Sequence, residues 1–543
     1  MATRDESGDS GQLLLGARIV AVGLVLLVCL RLAWVGDDAL ITLRTALNIS
    51  HGWGPGFNAT EAVQGYTHPL WFLIWTAIGV ATDQWIVGML AVSLALTALA
   101  VGLLVWSTRS IPRIVVLVTL LVLSNAFVEY ATSGLENGLA YATVATLMVL
   151  TLRPRRPAGM PAIVPAALAG LTVAAVLLTR LDLAVLVAPA VLWTAIIARH
   201  HWRLLGVALA ACLVPLAGWF AWSYATYAAL LPNTFDAKRN VAIPASELAT
   251  QGLRYLWVSF QHDPVTLVAV ALGVVVAATA GSAAARAWAL GVVLYLGYVI
   301  WVGGDFMAGR FLAVLVLVSV FLVAVTPIPL AAQSEAPAHV TSRLALALGI
   351  CAVLVLGTAL SDATPVALTN PQTARWETTQ NINAGVGDER GFYVALGRSL
   401  EDYVDRLSLE YVNPDFRSLG NREGLNRELR ELDREARNWP TTDTYIAKPS
   451  DAGTFCGFIG TVGMATGPTV HLIDSCGLTD RFLASRRYFP ASPFAWKPGH
   501  FERTVPEGYE QAILNSDPDL MKDPAEAFLL AKLWTRIRPP ARG

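Results

Sequence analysis

The chain reads as a polytopic α-helical membrane protein ending in a soluble mixed α/β domain, and three observations predict this. Of its 543 residues, 55% are hydrophobic and only 15% charged, against about 25% charged in ordinary soluble domains. Long apolar runs recur through the first 360 residues, and the mean hydropathy of the whole chain is +0.52. Beyond residue 361 the pattern becomes charged and mixed. A formal net charge of −1 supplies no basic face for nucleic acid, so that class of partner is set aside.

Residues 1–12 form a short polar tail, expected on the cytoplasmic side. The run at 13–35 is too long for a signal-peptide core and lacks a small-x-small cleavage site, so it reads as a retained anchor. Further runs lie near 84–106, 114–131, 135–152, 161–179, 183–198, 204–224, 265–281, 287–302, 311–328 and 344–360, which makes about eleven spans in all. The stretch from Pro69 to Ala81 is too short to span and starts at a proline after a polar loop, so an interfacial or re-entrant helix is expected. Charge parity supports this. If that stretch does not cross, Arg109, Arg113, Arg153, Arg155, Arg156, Arg199, Arg203 and Arg286 all share the side of the N-terminus, as the positive-inside rule requires.

The expected organisation is therefore a transmembrane domain over 13–360, with a first external loop over 36–83 that carries juxtamembrane helices. A polar connector covers 331–343. An extracytoplasmic C-terminal domain covers 361–543, with helical periodicity at 396–437 and strand-like runs at 455–474, long enough for a core of its own. The expected location is the plasma membrane. Cys29, Cys212 and Cys351 sit in apolar runs, where a thiol behaves as a small hydrophobe. Cys456 and Cys476 fall on the oxidising side and form a disulfide candidate.

With this parity the external face collects the informative polar residues. Asp37 and Asp38 lie where the first span leaves the membrane. Asp37 has an ordinary reading as a helix cap, with Asp38 in the first turn, but two adjacent acids at a membrane exit, with Arg44 seven residues on and on the same helical face, also suit chemistry on a lipid-borne substrate. The same face holds Glu129, Glu136, Arg180, Asp182, Asn233, Lys238, Arg239, Asp305 and Arg310. Arg180 with Asp182, and Arg310 with Asp305, read equally well as ion pairs pinning turns. Cations collected outside, against the usual trend, suit a lipid phosphate, whose oxygens match the arginine fork. His51, His68 and His500 are individually weak signals, and the sequons at Asn48 and Asn58 are short enough to arise by chance.

The run Asp37-Asp38-Ala39-Leu40-Ile41-Thr42-Leu43-Arg44 is followed by Gly54-Pro55-Gly56-Phe57-Asn58, by Glu61-Ala62-Val63-Gln64-Gly65-Tyr66-Thr67 and by Pro69-Leu70-Trp71. Together with Glu129 to Asn137, Arg180-Leu181-Asp182, Pro232-Asn233-Thr234, Gly304-Asp305, Asp474 to Asp480 and Pro498-Gly499-His500, it resembles the GT-C superfamily of membrane glycosyltransferases. Within that superfamily it is similar to the AftB-like terminal arabinofuranosyltransferases of mycobacterial envelopes. The resemblance implies a GT-C-type fold, a decaprenyl-phosphoryl-arabinofuranose donor, and an arabinan acceptor from arabinogalactan or lipoarabinomannan. It places an essential acid in the first external loop, which maps onto Asp37 and Asp38.

On this reading Asp37 lies closest to the chemistry with Asp38 as its partner, and Arg180, Lys238, Arg239 and Arg310 meet the donor phosphate. Gln64, Tyr66, His68, Glu136, Asp182, Asn233, Asp305 and His500 are candidates for sugar or acceptor. A β-1,2 product from a β-linked donor would be net retention, which gives a second carboxylate a role. A divalent cation is a candidate cofactor on this resemblance, since some GT-C enzymes use one and others do not. Competing readings are a mannosyltransferase using polyprenyl-phosphate mannose and a non-catalytic transporter. The transporter is disfavoured because polar groups gather at one face, not at mid-membrane, and no internal repeat is evident.

Overall fold

The computed structural model describes residues 5–153, 159–327, 385–391, 436–442 and 448–538, together with 352 and 356. Apart from 352 and 356, the expected span at 344–360 falls outside these residues, as do the connector and most of the 396–437 stretch. Helices dominate: α1 (Asp5–Arg31), α2 (Asp37–Ser50), α3 (Pro69–Thr82), α4 (Ile86–Trp106), α5 (Ile111–Leu123), α6 (Asn125–Tyr130), α7 (Asn137–Leu152) and α8 (Ile163–Thr179). They continue with α9 (Leu183–Ile197), α10 (Trp202–Tyr227), α11 (Asn233–Arg239), α12 (Ala245–His262), α13 (Pro264–Ala280), α14 (Ala283–Trp301) and α15 (Ala313–Val325).

Among the described residues five helices are long and apolar enough to cross a membrane: Gly11–Arg31, Ile86–Trp106, Leu183–His200, Trp202–Tyr227 and Ala283–Trp301. A sixth is added if α12 and α13, bent by 110° at Asp263, count as one broken span. Leucines and valines such as Leu13, Val20, Leu213 and Val214 stand exposed on α1 and α10, as lipid-facing side chains do. The chain is thus polytopic, but the expected eleven spans are not all matched in length. The runs at 135–152 and 161–179 form helices of 16 and 17 residues, and α3, at 14 residues, reaches only about 21 Å against a hydrocarbon core of about 30 Å.

One expected span is broken. The run at 114–131 stops at Ser124, whose hydroxyl accepts from the Phe127 amide at 3.2 Å and pairs with the Thr266 hydroxyl at 2.5 Å. Asp263 accepts from the Ala126 amide at 3.1 Å. Buried oxygens therefore satisfy the amides that open α6, which makes a mid-run break tolerable in an apolar setting.

The chain divides into two compact units. One comprises residues 1–33, 92–215 and 252–376; the other comprises 34–91, 216–251 and 377–543. At the centre of the first is α15, buried on every side from Ala313 to Ala324 and packed against α5, α7, α13 and α14. Its sequence, apolar all round save Ser319, permits this position.

The second unit contains a strand–helix–strand element: β1 (Asp451–Phe455), α16 (Ile459–Thr466) and β2 (Val470–Asp474). The strands pair in parallel, from Asp451 opposite Val470 to Phe455 opposite Asp474. Helices α17 (Arg481–Ser485), α18 (Tyr509–Asn515) and α19 (Pro524–Ile537) complete it. Its cores are shared across the sequence: Ile41 and Phe57 pack with Ile459 and Leu472, and Val63 packs with Ile473, Leu530 and Trp534. The first loop and the C-terminal residues therefore bury apolar surface together, where the sequence suggested a C-terminal domain with a core of its own.

Candidate functional site

The acidic pair opens α2. Gly36 stands at the N-cap in extended conformation, and Asp37 and Asp38 occupy the first turn. Successive helical positions point about 100° apart, and the two acids have different surroundings. From residue 32 to residue 48 every position is buried except Asp38, which keeps intermediate exposure.

Asp37 faces α16. One carboxylate oxygen accepts from the Gly460 amide at 3.1 Å, and the other accepts from the Thr461 amide at 2.7 Å and the Thr461 hydroxyl at 2.5 Å. Burial pushes the Asp37 carboxyl up, against the pull of the Thr461 hydroxyl and amide. Phe458, at the N-cap position of α16, has no oxygen in its side chain to do this work. The approach is close enough to demand glycine at 460, where a Cβ would sit 2.1 Å from the Asp37 carbonyl oxygen.

Arg44 serves the other end of the same helix. Fully buried, it donates to the carbonyls of Gly467 at 3.0 Å and Val470 at 2.9 Å and lies over the Phe57 ring at 4.5 Å. Seven residues on α2 rise about 10.5 Å, close to the roughly 12 Å length of an eight-residue helix. Thus α2 places an anion at the positive end of α16 and a cation at its negative end, complementing the dipole twice. The Asp37–Arg44 spacing noted in the sequence is a clamp on a helix some 400 residues away.

Other candidates in this unit are held by structural contacts. The Gln64 amide accepts from the Ser223 hydroxyl at 3.1 Å and donates to the Tyr66 carbonyl at 3.2 Å. The Tyr66 hydroxyl meets that of Tyr227 at 3.0 Å and its ring stacks on Phe72 at 4.1 Å. His68 Nε2 lies 2.9 Å from the Thr42 hydroxyl, which ties α2 to the start of α3. The Asn233 carboxamide donates to the carbonyls of Gly477, Leu478 and Asp480 at 2.8, 3.3 and 3.1 Å. Lys238 and Arg239, by contrast, stand exposed in the last turn of α11, and His500 is half-buried in a turn with Lys497. Cys456 and Cys476 form a disulfide, with Cα atoms 5.1 Å apart; neither is a thiolate available to a metal.

The remaining candidates lie in the first unit. Arg180, at the C-cap of α8, donates to both oxygens of Asp182 at 3.1 and 2.6 Å, approaches Glu136 at 3.4 Å and packs over Phe311 at 4.9 Å. Tyr295 donates to Asp182 at 2.5 Å. Arg310 lies 3.4 Å from Asp305. Two of the three arginines expected to meet a phosphate, Arg180 and Arg310, are matched by carboxylates, the ion-pair alternative raised from the sequence.

The sequence reading passed over Arg503, buried and donating to five backbone carbonyls, and gave no role to the buried acids Asp474 and Asp480 that delimit one of its motifs. Asp474 accepts from the amides of Cys476 and Thr479 at 3.0 and 2.8 Å, and Asp480 from the Leu483 amide and the Tyr509 hydroxyl at 2.8 and 3.0 Å. Burial pushes both carboxyls up, Asp474 to about 6. The Asx pattern at each was a usable signal; nothing local marks Arg503.

No protein-family model matches the chain, and no solved structure matches it. Two curated proteins do. The terminal beta-(1->2)-arabinofuranosyltransferase of Corynebacterium glutamicum is 27% identical over 492 residues, covering 81% of this chain and 67% of its own length. The protein of the same name from Mycobacterium tuberculosis is 27% identical over 509 residues, covering 83% of this chain and 78% of its own. Neither relative is a mannosyltransferase. Along some four-fifths of its length the chain is similar to terminal β-(1→2)-arabinofuranosyltransferases, the branch of membrane glycosyltransferases that its motifs resemble.

Proposed function

We propose that this protein is a membrane glycosyltransferase that moves arabinofuranose from a polyprenyl-phosphate donor, decaprenyl-phosphoryl-arabinofuranose, to the ends of arabinan chains of arabinogalactan or lipoarabinomannan, forming β-1,2 linkages in cell-wall biosynthesis. Two relatives of that name, each aligned over most of the chain, support the reaction class. The reaction breaks the anomeric C–O bond to phosphate and forms one to an acceptor hydroxyl. The acceptor loses a proton, and polyprenyl phosphate departs. It takes place on the extracytoplasmic side of the plasma membrane.

The single observation that carries the site assignment is the exposure of Asp38 within an otherwise buried stretch of α2. Asp37 has each carboxylate oxygen engaged by α16, so Asp38 is the acid of the pair that meets the reacting sugar, with Asp37 holding its helix in place. This reverses the order expected from the sequence. Lys238 and Arg239, exposed on α11, stabilise the departing phosphate. Arg180 and Arg310, neutralised by acids, shape the first unit.

The test is transfer from synthetic polyprenyl-phosphoryl-arabinofuranose to a short arabinan, with the mannosyl donor in parallel and NMR of the product's anomeric centre. Arabinose transfer in β configuration is expected; transfer of mannose alone would overturn the proposal.

A further inference from the structure

We propose that Arg503 is a positioning residue for donor binding, fixing the last turn of α11 so that Lys238 and Arg239 engage the donor phosphate. The inference rests on the reading of those two cations as phosphate ligands. Arg503 joins two pieces of chain far apart in sequence. Its Nη2 donates to the carbonyls of Ala237 and Asn240, at 2.6 and 3.5 Å, where α11 ends. Its Nη1 donates to Cys476 and Phe501, at 2.7 and 2.9 Å, and its Nε to Arg486 at 2.8 Å. All five partners are backbone carbonyls, so the guanidinium sits as a buried cation against the negative end of a short helix.

The other contacts of α11 are complementary. Asn233 fastens its first residue to the carbonyls of the 477–480 loop, Asn240 donates to the Ala484 carbonyl at 2.8 Å, and Ala237 is buried with Cys476, Leu478 and Ala484 beside the disulfide. A seven-residue helix has too few internal hydrogen bonds to hold itself. Its geometry is imposed by this socket, and the face left outside is the one bearing Lys238 and Arg239. Losing Arg503 removes the charged contact from the last turn and loosens it, while Asn233 still holds the first residue and Asn240 still donates to the Ala484 carbonyl. That change reaches the cations before it reaches the fold.

The experiment measures KM for synthetic polyprenyl-phosphoryl-arabinofuranose, and kcat, for wild type, Arg503→Lys, Arg503→Met, the double variant Lys238→Ala/Arg239→Ala, and the double variant carrying each Arg503 change. Arg503→Met is expected to raise donor KM about tenfold with kcat within about twofold, and Arg503→Lys to rise less. In the Lys238→Ala/Arg239→Ala background neither change should raise KM further, because a residue acting through those cations has nothing left to position. Should Arg503→Met fail to fold, Arg503→Lys carries the same comparison. A KM effect of Arg503 that persists undiminished without the two cations overturns the inference alone. A Lys238→Ala/Arg239→Ala enzyme with wild-type donor KM overturns both the phosphate reading and the inference built on it.

Discussion

Asparagine or alanine in place of Asp37 should damage the fold before it damages the chemistry, and Asp38 should do the reverse. Alanine at 37 strips the acceptor from the Gly460 and Thr461 amides and from the Thr461 hydroxyl, all buried at the start of α16. Two orphaned amides at about 1–3 kcal/mol each, offset by relief of a buried charge whose protonation burial already favours, leave a net loss of about 3 kcal/mol. For a unit of this size that is a fall of about 6–12 °C in Tm. Asparagine keeps one acceptor oxygen, so about half the loss is expected. Asp38→Asn removes a half-exposed anion from a helix N-terminus, where the dipole contributes about 0.3–1 kcal/mol, yet should lower kcat by about 10²–10⁴ as a catalytic carboxylate does. Thermal melts of detergent-purified protein give the first quantity, and single-turnover arabinose transfer gives the second. If Asp38→Asn turns over at the wild-type rate while Asp37→Asn melts normally and is inactive, the division of labour between the two acids is wrong.

Four further outcomes are expected. Gly460→Ala should destabilise by more than about 2 kcal/mol, since its Cβ would overlap the Asp37 carbonyl; a melt unchanged within a degree would show that α2 and α16 are not in that contact. Asp474, pushed up to about 6 by burial, binds its proton more tightly folded than unfolded, so its contribution falls as pH rises from about 4 to about 6, by about 3 kcal/mol. Asp474→Asn should remove that decline, visible as a more positive slope of stability against pH than wild type; parallel curves would contradict it. His471, pushed down to about 3 by burial, with Arg538 and Arg44 adding to it, acts oppositely: its contribution is lost as pH falls from about 6.5 towards 3, and His471→Gln should make the acid limb shallower. Removing the disulfide as Cys456→Ser/Cys476→Ser should lower stability by about 3 kcal/mol on loop-closure grounds, read as the denaturant midpoint with and without reductant, the variant being insensitive to reductant.

Much of the architecture was legible because membrane physics is local. A bilayer asks for apolar stretches of a given length, and those stretches stand in the sequence as α1, α4, α9, α10 and α14. The shortness of α3, the strand at 470–474 and the pairing of Cys456 with Cys476 are likewise local or compositional signals, whereas the middle of the 455–474 run, expected as strand, folds as α16. The break at Ser124 was not legible, because the oxygens that permit it come from Asp263 and Thr266. A window of apolar residues cannot report a partner 140 positions on.

The acidic pair divides in the same way. By itself the sequence determined that two carboxylates stand at the end of the first apolar run and that Arg44 shares a helical face with Asp37, and it led to the expectation that cations share their side of the membrane, since each follows from hydropathy, parity or the period of a helix. Only the tertiary structure decided which acid is buried against α16 and which keeps some exposure. The fold sets α16 against α2, with its two ends matched to Asp37 and Arg44, and leaves Asp38 as the position in that stretch which is not buried. Burial and hydrogen bonding distinguish two adjacent aspartates that are chemically identical in the chain, and both are properties of what the fold packs against them.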